Sequence, residues 1–346
     1  MSCKRIVLTA AVILMSLVSC DTLFPDRTAA TSTEVFDELW NAVNQKYVCF
    51  PNRDVNWDTV YTKYRGQVSD DMDDSQLFSV LCQMLGELND GHVNLKTDMK
   101  EWSGYRIDLV THVSRLLVSY YLGYDVKIAG GLRYNTIHNG LVGYIEYASF
   151  LDDISDDQVY EALAYCKDCQ GLILDLRGNR GGKCENVMTL LKFLPLEKEL
   201  FKSLVRHNDI RDDLKQNGML LKPTIKDESK IWQKPLIVLI DNRSYSAASI
   251  FAASVKGCNK ICIVGVKTSG GTSSQVYHEL SNGWYFRIPT VKYISRSGID
   301  YENGVPPDIE IQLDVERVKY YDSEDNIIEA ACEMILSHVE FSKWCQ

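Results

Sequence analysis

The spacing of apolar residues predicts two structural regions in this chain. From residue 33 to residue 95, apolar residues recur every three or four positions, as in Phe36, Leu39, Val43 and Tyr47, which is the pattern of amphipathic helices. From Val142 onward, short apolar runs alternate with segments of helical spacing. Because such runs are typical of strands buried on both faces, this second region predicts a sheet covered by helices.

Individual elements of the second region can be placed from the same pattern. Strands are predicted at residues 142–147, 171–176, 236–240 and 261–266, and helices at 156–165, 185–194, after Ser246, and at 326–338. Residues 116–121 suggest a further strand, and residues 202–234 are polar, which indicates a long surface excursion. The predicted organisation is an N-terminal helical domain at 33–95, a mixed connecting segment at 96–140 and an α/β domain at 141–346.

The N-terminus has the features of an export signal. Two basic residues precede an apolar run from Ile6 to Val18, which is too short to span a membrane comfortably. Leu17-Val18-Ser19-Cys20 resembles the bacterial lipoprotein box, in which the cysteine carries the lipid. We therefore predict a signal peptide at 1–19, a lipidated tether at 20–32 and a protein anchored in the bacterial cell envelope through Cys20. A plain secretory signal with a coincidental cysteine is the alternative.

Composition excludes several classes of partner. The chain has 346 residues and a net charge of −10, without a lysine- or arginine-rich run, which argues against binding to nucleic acid. Its 11 cysteines are irregularly spaced and do not fit a disulfide scaffold. Cys166 and Cys169 form a lone CxxC pair, whereas a zinc ribbon needs two such pairs, so no metal site is predicted.

The segment from Pro235 to Phe251 predicts a strand, a sharp turn and a helix in direct succession. Ser246 lies where the turn becomes the helix. Its hydroxyl would project at the carboxyl end of the sheet beside free N–H groups of the first helical turn, which is a favourable place for a nucleophile. The alternative is that Ser246, or Ser244, only caps the helix.

Two further segments offer groups that a serine nucleophile needs. His92 ends the turn Asn89-Asp90-Gly91-His92 and can accept a proton near neutral pH, although a lone histidine is usually structural. Gly181 and Gly182 follow a buried strand and allow close approach of a ligand. Their N–H groups could form an oxyanion hole together with that of Ala247. A tight turn held by an ion pair between Asp175 and Arg177 is the structural alternative.

A carboxylate near the C-terminus completes the set of candidates. Glu302 precedes a rigid turn that contains Gly304 and two prolines, so stiff backbone would hold its side chain in place. Alternatively, Glu302 is a surface glutamate before a turn.

Together, these segments resemble the C-terminal-processing and tricorn family of serine peptidases, including its branch related to interphotoreceptor retinoid-binding protein. The resembling segments, in chain order, are 88–95, 143–150, 171–182, 244–251, 265–271, 282–283 and 302–308. The resemblance implies an α/β fold with a crotonase-like ββα spiral core of the Clp protease type and an N-terminal helical domain. It also implies Ser246 as nucleophile, His92 as base, Glu302 as the acid that orients His92, and Gly181, Gly182 and Ala247 as oxyanion donors.

The chain departs from many relatives at two points. Relatives with a Ser–Lys dyad carry the lysine in a Thr-x-Gly-Lys-Gly segment, but here the segment from Thr268 to Thr272 has Gly271 in the place of the lysine. A glycine cannot act as a base, so the resemblance favours the histidine of the tricorn-like branch. In addition, only about 45 residues separate Leu95 from Val142, so we predict no complete PDZ domain.

The predicted function is that of a serine endopeptidase that hydrolyses peptide bonds in exported proteins or peptides, without a metal or organic cofactor. Activity that requires neutral His92 should fall below about pH 6.5, the ordinary pKa of histidine. The alternative is a non-catalytic protein that binds peptides or lipophiles on the same scaffold. A crotonase-like acyl-coenzyme A enzyme is disfavoured by export and by the lack of a basic nucleotide-binding cluster. The sequence does not predict the oligomeric state.

Overall fold

The computed structural model describes residues 30–104, 113, 115–207, 210–314 and 324–337. The predicted signal peptide, the lipidation site Cys20 and most of the predicted tether lie outside these residues. Among the helices of the described residues, none combines the length and the apolar character needed to cross a membrane.

The described residues contain helices and strands in the following order. The helices are α1 Ser32–Lys46, α2 Trp57–Arg65, α3 Asp74–Gly86, α4 Arg115–Leu122, α5 Asp156–Tyr165, α6 Cys184–Leu191, α7 Ala247–Val255 and α8 Asn326–Leu336. The strands are β1 Asn94–Lys96, β2 Glu101–Ser103, β3 Lys127–Ala129, β4 Leu132–Ile137, β5 Val142–Tyr147, β6 Gly171–Asp175, β7 Glu199–His207, β8 Ile210–Leu221, β9 Leu236–Ile240, β10 Ile261–Gly265, β11 Ser274–Glu279, β12 Tyr285–Ser295 and β13 Ile309–Glu310.

The first three helices form the N-terminal part of the fold. Capping boxes begin α1 at Thr31 and α3 at Asp73, where each side chain accepts a hydrogen bond from a free N–H of the first turn. The apolar faces of α1, α2 and α3 share one core with Trp284 and Phe286, at the start of β12. This packing fixes the helices against the sheet that contains β1. Strand β1 begins two residues after His92.

The smaller sheet is antiparallel and has the strand order β2-β1-β12-β7-β8, with β11 also paired to β12. Asn94 of β1 lies opposite Arg287 of β12. The sheet therefore carries Arg287 close to the turn that ends in His92.

The larger sheet has the strand order β13-β10-β9-β6-β5-β4-β3. Its five strands from β13 to β5 are parallel, and β4 and β3 continue the sheet as antiparallel strands. Leu172 and Leu174 pack on one face with α5, α6 and α7, whereas Ile173 and Ile237 pack on the other face with α4 and α8. The carboxyl ends of β6 and β9 meet at one edge, where loops of parallel sheets commonly carry functional groups.

Arg177 follows β6 and is completely buried. Its guanidinium lies 2.7 Å from Asp175 Oδ2 and 2.9 Å from Asp325 Oδ2, and Asp325 also caps α8. The ion pair considered as the structural alternative for this motif is therefore present, and it ties the end of β6 to α8.

One sequence-based assignment of secondary structure is wrong, and one segment has more regular structure than the sequence indicates. The strand expected at 116–121 is part of helix α4, because a short apolar run has no periodicity that separates a strand from a buried helical turn. The surface excursion expected at 202–234 contains most of the β7–β8 hairpin. Many side chains of β7 are only half-buried, so the strand lacks the apolar alternation that would have revealed it.

The predicted fold class agrees with this architecture. Between β1 and β5, the described residues form β2, α4, β3 and β4 rather than a complete PDZ domain. Because β3 and β4 pair with the larger sheet, that sheet begins inside the segment predicted as a mixed connection.

Candidate active site

Ser246 lies on the sharp turn between β9 and α7, which we call the elbow (residues 241–247). Asp241 Oδ1 accepts hydrogen bonds from the N–H groups of Gly178, Arg243 and Ser244, at 2.8, 3.0 and 2.9 Å. These bonds fold the chain back directly after β9, so that α7 begins at Ala247.

The backbone of Ser246 has φ 55° and ψ −119°, a conformation that non-glycine residues rarely adopt. Its side chain makes no capping hydrogen bond, although Ser246 occupies the position before α7. Ser244 does not cap α7 either, because its hydroxyl donates to the carbonyl of Leu176 at 2.9 Å. The geometry therefore leaves the Ser246 hydroxyl available for another partner.

That partner is His92. Its Nε2 lies 2.9 Å from Ser246 Oγ, although 154 positions separate the two residues in the sequence. The backbone N–H of His92 donates to Asp90 Oδ1 at 2.8 Å, and its ring lies 4.8 Å from the ring of Tyr245. A serine hydroxyl within hydrogen-bond distance of an imidazole nitrogen is the arrangement needed for general-base activation.

The second ring nitrogen of His92 is in a different situation. The side chain is buried, and Nδ1 has no hydrogen-bond partner among the described residues. Burial, with a smaller effect of the positive charges of Arg287 and Arg53, lowers the pKa of His92 to about 4, although the carboxylate of Asp90 opposes the shift. His92 is therefore neutral at physiological pH and can accept a proton at Nε2.

Two buried carboxylates lie behind His92. Arg53 Nη2 bridges them, at 2.9 Å from Asp90 Oδ2 and 3.0 Å from Glu302 Oε1. Tyr47 also donates to Asp90 Oδ2 at 2.6 Å. Arg53 lowers the pKa of Asp90 against the effect of burial, whereas burial and the charge of Asp90 raise the pKa of Glu302. Asp90 is thus the more firmly ionised member of the pair.

Glu302 does not make the contact that the sequence predicts. Its Oε1 accepts from Arg53, and its Oε2 accepts from the backbone N–H of Ser273 at 2.9 Å, so both oxygens already have donors. Within the described part of the chain, the expected hydrogen bond between Glu302 and His92 Nδ1 is absent. Among the described residues, Arg53 and Asp90 connect Glu302 to His92.

Cys49 joins these carboxylates in a compact cluster. The ligand atoms of Cys49, Asp90 and Glu302 lie within 4.8 Å of one another, a spacing that could hold a metal ion. However, the Arg53 guanidinium binds both carboxylates directly. A second cation at this position would be repelled by Arg53, so the cluster is better suited to a buried ion pair than to a metal.

The glycine loop after β6 lies against the elbow. A Cβ atom on Gly181 would fall 2.8 Å from Ser246 Cβ and 2.9 Å from the nitrogen of Ala247, so only glycine fits this close approach. The Gly181 N–H donates to Asn179 Oδ1 at 2.9 Å and is therefore engaged. The N–H groups of Gly182 and Ala247 have no partner within the described residues, so of the three predicted oxyanion donors these two are free.

Asn179 is a positioning residue that sequence reasoning missed. It is buried; its carbonyl accepts from Tyr245 N at 3.0 Å, and its Nδ2 donates to the carbonyl of Tyr147 at 2.7 Å. Asn179 thus joins β5 and the glycine loop through its side chain, and the elbow through its backbone carbonyl. Its place inside the Gly-Asn-Arg-Gly-Gly segment is the only signal the sequence offers for this role.

The Ser246 hydroxyl opens onto a cleft of about 650 Å³. The cleft is lined by His92, the glycine loop, Tyr245 and residues of four other segments, namely Ser103, Ala148, Ser149, Leu151, Gln275 and Arg287. A volume of this size is typical of sites that bind small molecules or short peptide segments.

Tyr245 occupies the space that a lysine at position 271 would need. Gly271 has φ 69°, and a Cβ there would lie 2.5 Å from the Tyr245 ring. We therefore expect Gly271→Lys to lower activity and to cost about 1–3 kcal/mol of stability, without creating a Ser–Lys dyad. Gly271→Ala is the matched control, since it adds the same strain without an amine. Recovery of activity by Gly271→Lys in a His92→Gln background would contradict this expectation.

The lowered pKa of His92 shifts the expected acid limb of activity to lower pH. Because its pKa is about 4, His92 remains neutral well below pH 6.5. The sequence alone predicts an acid limb of kcat/KM near pH 6.5. With the buried His92, we expect this limb near pH 4. A pH–rate profile on folded protein measures this, and an acid limb at or above pH 6.5 would contradict the buried environment of His92.

The same shift predicts how stability depends on pH. Between pH 6.5 and about 4, the unfolded state binds a proton at His92 and the folded state does not, so the free energy of unfolding falls as the pH falls. The contribution is on the order of 3 kcal/mol, fully present above pH 6.5 and lost by about pH 4. Urea unfolding at pH 7 and pH 4.5 should show a smaller pH dependence for His92→Gln than for the natural chain. Equal dependence in both proteins would argue against the shift.

Comparison with known families identifies two parts of the sequence. The family model described as Peptidase family S41 matches residues 141–311, and the model of the tricorn protease C1 domain matches residues 28–86. Carboxy-terminal processing protease CtpA of Bacillus subtilis is 26% identical over 195 residues, which cover 55% of this chain and 40% of that protein. The chain spans about half or less of the length of the curated relatives it matches first.

Solved structures share the fold of this chain. A peptidase candidate of Parabacteroides merdae superposes with a TM-score of 0.81 at 29% identity, covering 89% of this chain and 97% of that one. The photosystem II D1 C-terminal processing protease superposes with a TM-score of 0.51 at 16% identity over 82% of this chain and 94% of its own, a likeness of fold alone. These likenesses confirm the predicted fold class. The chain therefore carries a domain of peptidase family S41 at residues 141–311 and a segment at residues 28–86 that matches the tricorn protease C1 domain.

Proposed function

We propose that the protein is a serine endopeptidase in which Ser246 attacks the peptide carbonyl. The observation that carries this proposal is the 2.9 Å separation between Ser246 Oγ and Nε2 of a neutral, buried His92. His92 Nε2 accepts the hydroxyl proton as the Ser246 oxygen bonds to the carbonyl carbon. It then donates this proton to the leaving amine as the peptide bond breaks. Water hydrolyses the resulting acyl-enzyme with the same base.

The oxyanion of each tetrahedral intermediate would be held by backbone N–H groups. Within the described residues Gly182 and Ala247 have free N–H groups; Ala247 directly follows Ser246, and Gly182 lines the same cleft as Ser246. Gly181 contributes by allowing the glycine loop to approach the elbow, and its own N–H would have to leave Asn179 to take part. Preorganised N–H donors of this kind lower the barrier without reorganising during the reaction.

We further propose that Glu302 supports His92 indirectly, through Arg53 and Asp90. Its carboxylate contacts Arg53, and Asp90 is the anion that acts most strongly on the pKa of His92. Glu302→Gln should therefore lower kcat/KM by no more than about 10²-fold, less than the roughly 10⁴-fold loss seen when an acid bonded directly to the histidine is altered. Asp90→Asn is the companion variant and should lower the pKa of His92 further. A 10⁴-fold loss for Glu302→Gln would indicate direct contact with His92 Nδ1 in the working enzyme.

A non-catalytic binding protein is the second candidate function. Lipophile binding receives little support, because an apolar cavity inside the core, lined by Leu132, Ile145 and Phe251 among others, holds only about 20 Å³. That volume is far below the several hundred Å³ of typical ligand sites. Peptide binding without hydrolysis would use the same cleft as the peptidase, so only a chemical assay separates the two.

The cellular setting is also a proposal. We propose export to the bacterial cell envelope with lipidation at Cys20, on the strength of the basic, apolar and Leu-Val-Ser-Cys segments at the N-terminus. The substrates would then be exported polypeptides or peptides. Mass spectrometry of the mature N-terminal peptide tests this, and an unmodified Cys20 would contradict it.

Incubation with a mixed peptide library, followed by mass spectrometry of the products, tests the peptidase proposal. We expect new termini that accumulate with the natural chain and are absent with Ser246→Ala. A folded protein that leaves the whole library intact would favour the binding function.

A further inference from the structure

The cleft in front of Ser246 has a charge that differs from the rest of the molecule. The chain carries a net charge of −10. Nevertheless, the charged side chains among the described residues that line the cleft are Arg180, Lys183 and Arg287, with no aspartate or glutamate. Positive charge is therefore present where a substrate would bind, on a chain whose net charge is negative.

Arg180 is the most available of these cations. It is exposed and makes no ion pair or hydrogen bond within the described residues. It directly precedes Gly181, where an added Cβ atom would lie 2.8 Å from Ser246 Cβ. An arginine at this point of the chain reaches groups one or two residues from a carbonyl held at Ser246.

Arg287 is a second cation without a carboxylate partner in the described structure. Its Nε and Nη2 donate to Asn94 Oδ1 at 3.1 and 2.6 Å, and its guanidinium lies 5.5 Å from the centre of the Tyr277 ring. These contacts orient the guanidinium but leave its charge uncompensated. The charge is close enough to His92 to lower its pKa.

Lys183 differs from the two arginines. Its ammonium pairs with both oxygens of Asp153, at 2.7 and 2.8 Å. It therefore adds little net charge to the cleft, so the uncompensated positive charge there comes from Arg180 and Arg287.

We propose that this cleft selects peptides that carry a carboxylate close to the scissile bond, and that Arg180 and Arg287 bind it. The inference rests on the proposed peptidase function and names the substrate class for that same site. Arginine guanidinium groups bind carboxylates through paired, charge-assisted hydrogen bonds. In a polypeptide the carboxylate comes either from an aspartate or glutamate side chain or from the free C-terminus.

Three matched peptides test the proposal, each built on a sequence that the library experiment shows to be cleaved. The first has glutamate next to the scissile bond and an amidated C-terminus, the second has glutamine in its place, and the third is the glutamine peptide with a free C-terminal carboxylate. At low salt we expect kcat/KM to be about tenfold higher for a peptide with a carboxylate than for the neutral peptide. The preference should weaken at high salt. The first and third peptides show which source of carboxylate is used.

Variants at Arg180 give the decisive comparison. Arg180→Met should reduce the preference for the carboxylate, Arg180→Lys should retain part of it, and Arg180→Glu should reverse it. The control is Arg296→Met, which removes a positive charge that is paired with Glu197 outside the cleft and should leave the preference unchanged. Because Arg180 is exposed and unpaired, all its variants should melt at the temperature of the natural chain.

The possible failures are distinct. Equal cleavage of all three peptides by the natural chain, or an unchanged preference in Arg180→Glu, would overturn the proposed selectivity while leaving the peptidase function intact. Cleavage that persists in Ser246→Ala would overturn the peptidase function, and the selectivity with it.

Discussion

Replacement of Ser246 by alanine is expected to lower kcat/KM for a cleaved peptide by on the order of 10⁴ to 10⁶-fold. The reason is that Ser246 Oγ is the only hydroxyl described at hydrogen-bond distance from His92 Nε2, and alanine leaves the base without a nucleophile to activate. The variant should fold normally, because the Ser246 side chain caps no helix. Peptide hydrolysis and thermal melting measure the two effects.

Ser254→Ala is the matched control for this experiment. Ser254 lies on α7, the helix that follows the elbow. Within the described residues its hydroxyl donates to the carbonyl of Ile250, at 2.7 Å. The substitution also removes one serine hydroxyl, but it should change kcat/KM by less than about threefold. Comparable losses in both variants would mean that Ser246→Ala acts through damage to α7 and not through loss of the nucleophile.

Replacement of His92 by glutamine is expected to cost nearly as much as loss of Ser246. Glutamine retains a polar group but cannot accept the proton, so Ser246 stays a weak nucleophile. Because the two residues act as one unit, the double variant should be no more than about threefold less active than Ser246→Ala alone. Kinetics of the two single variants and the double variant measure this coupling. Losses that multiply in the double variant would contradict a joint role.

The sequence predicted the positions of Ser246 and His92 because each belongs to a local pattern with a chemical meaning. A strand, a turn and a helix place Ser246 at the sheet edge, and the turn before β1 places His92 between two packed elements. The contact between them could not be read from local patterns. It depends on α1 to α3 packing on the start of β12, and the family resemblance was needed to expect it.

The prediction for Glu302 shows where local patterns fail. The stiff turn after Glu302 is visible in the sequence, but the burial of Glu302 is not. Its partner Arg53 lies 249 positions away in the sequence. No local spacing of residues could therefore predict that the Arg53 guanidinium would bind the Glu302 carboxylate. For the same reason, the burial of His92 could not be predicted, and the ordinary pKa of histidine places the expected acid limb at a higher pH than the buried environment does.

The oxyanion donors illustrate a related limit. The glycines at 181 and 182 indicated close approach of backbone to a ligand, and the approach of Gly181 to Ser246 fits that pattern. Which N–H groups remain free depends on the Asn179 side chain, which binds Gly181 N–H. The sequence shows that Asn179 lies two residues before Gly181. It does not show that the Asn179 side chain accepts a hydrogen bond from the Gly181 N–H.

Labelling with a fluorophosphonate, followed by mapping of the modified peptide, tests the central claim most directly. Such a probe forms a bond only with a serine oxygen that a neighbouring base activates. The account predicts a single adduct on Ser246 in the natural chain, strongly reduced labelling in His92→Gln and none in Ser246→Ala. Absence of labelling in the folded natural chain, or an equal adduct in His92→Gln, would contradict it.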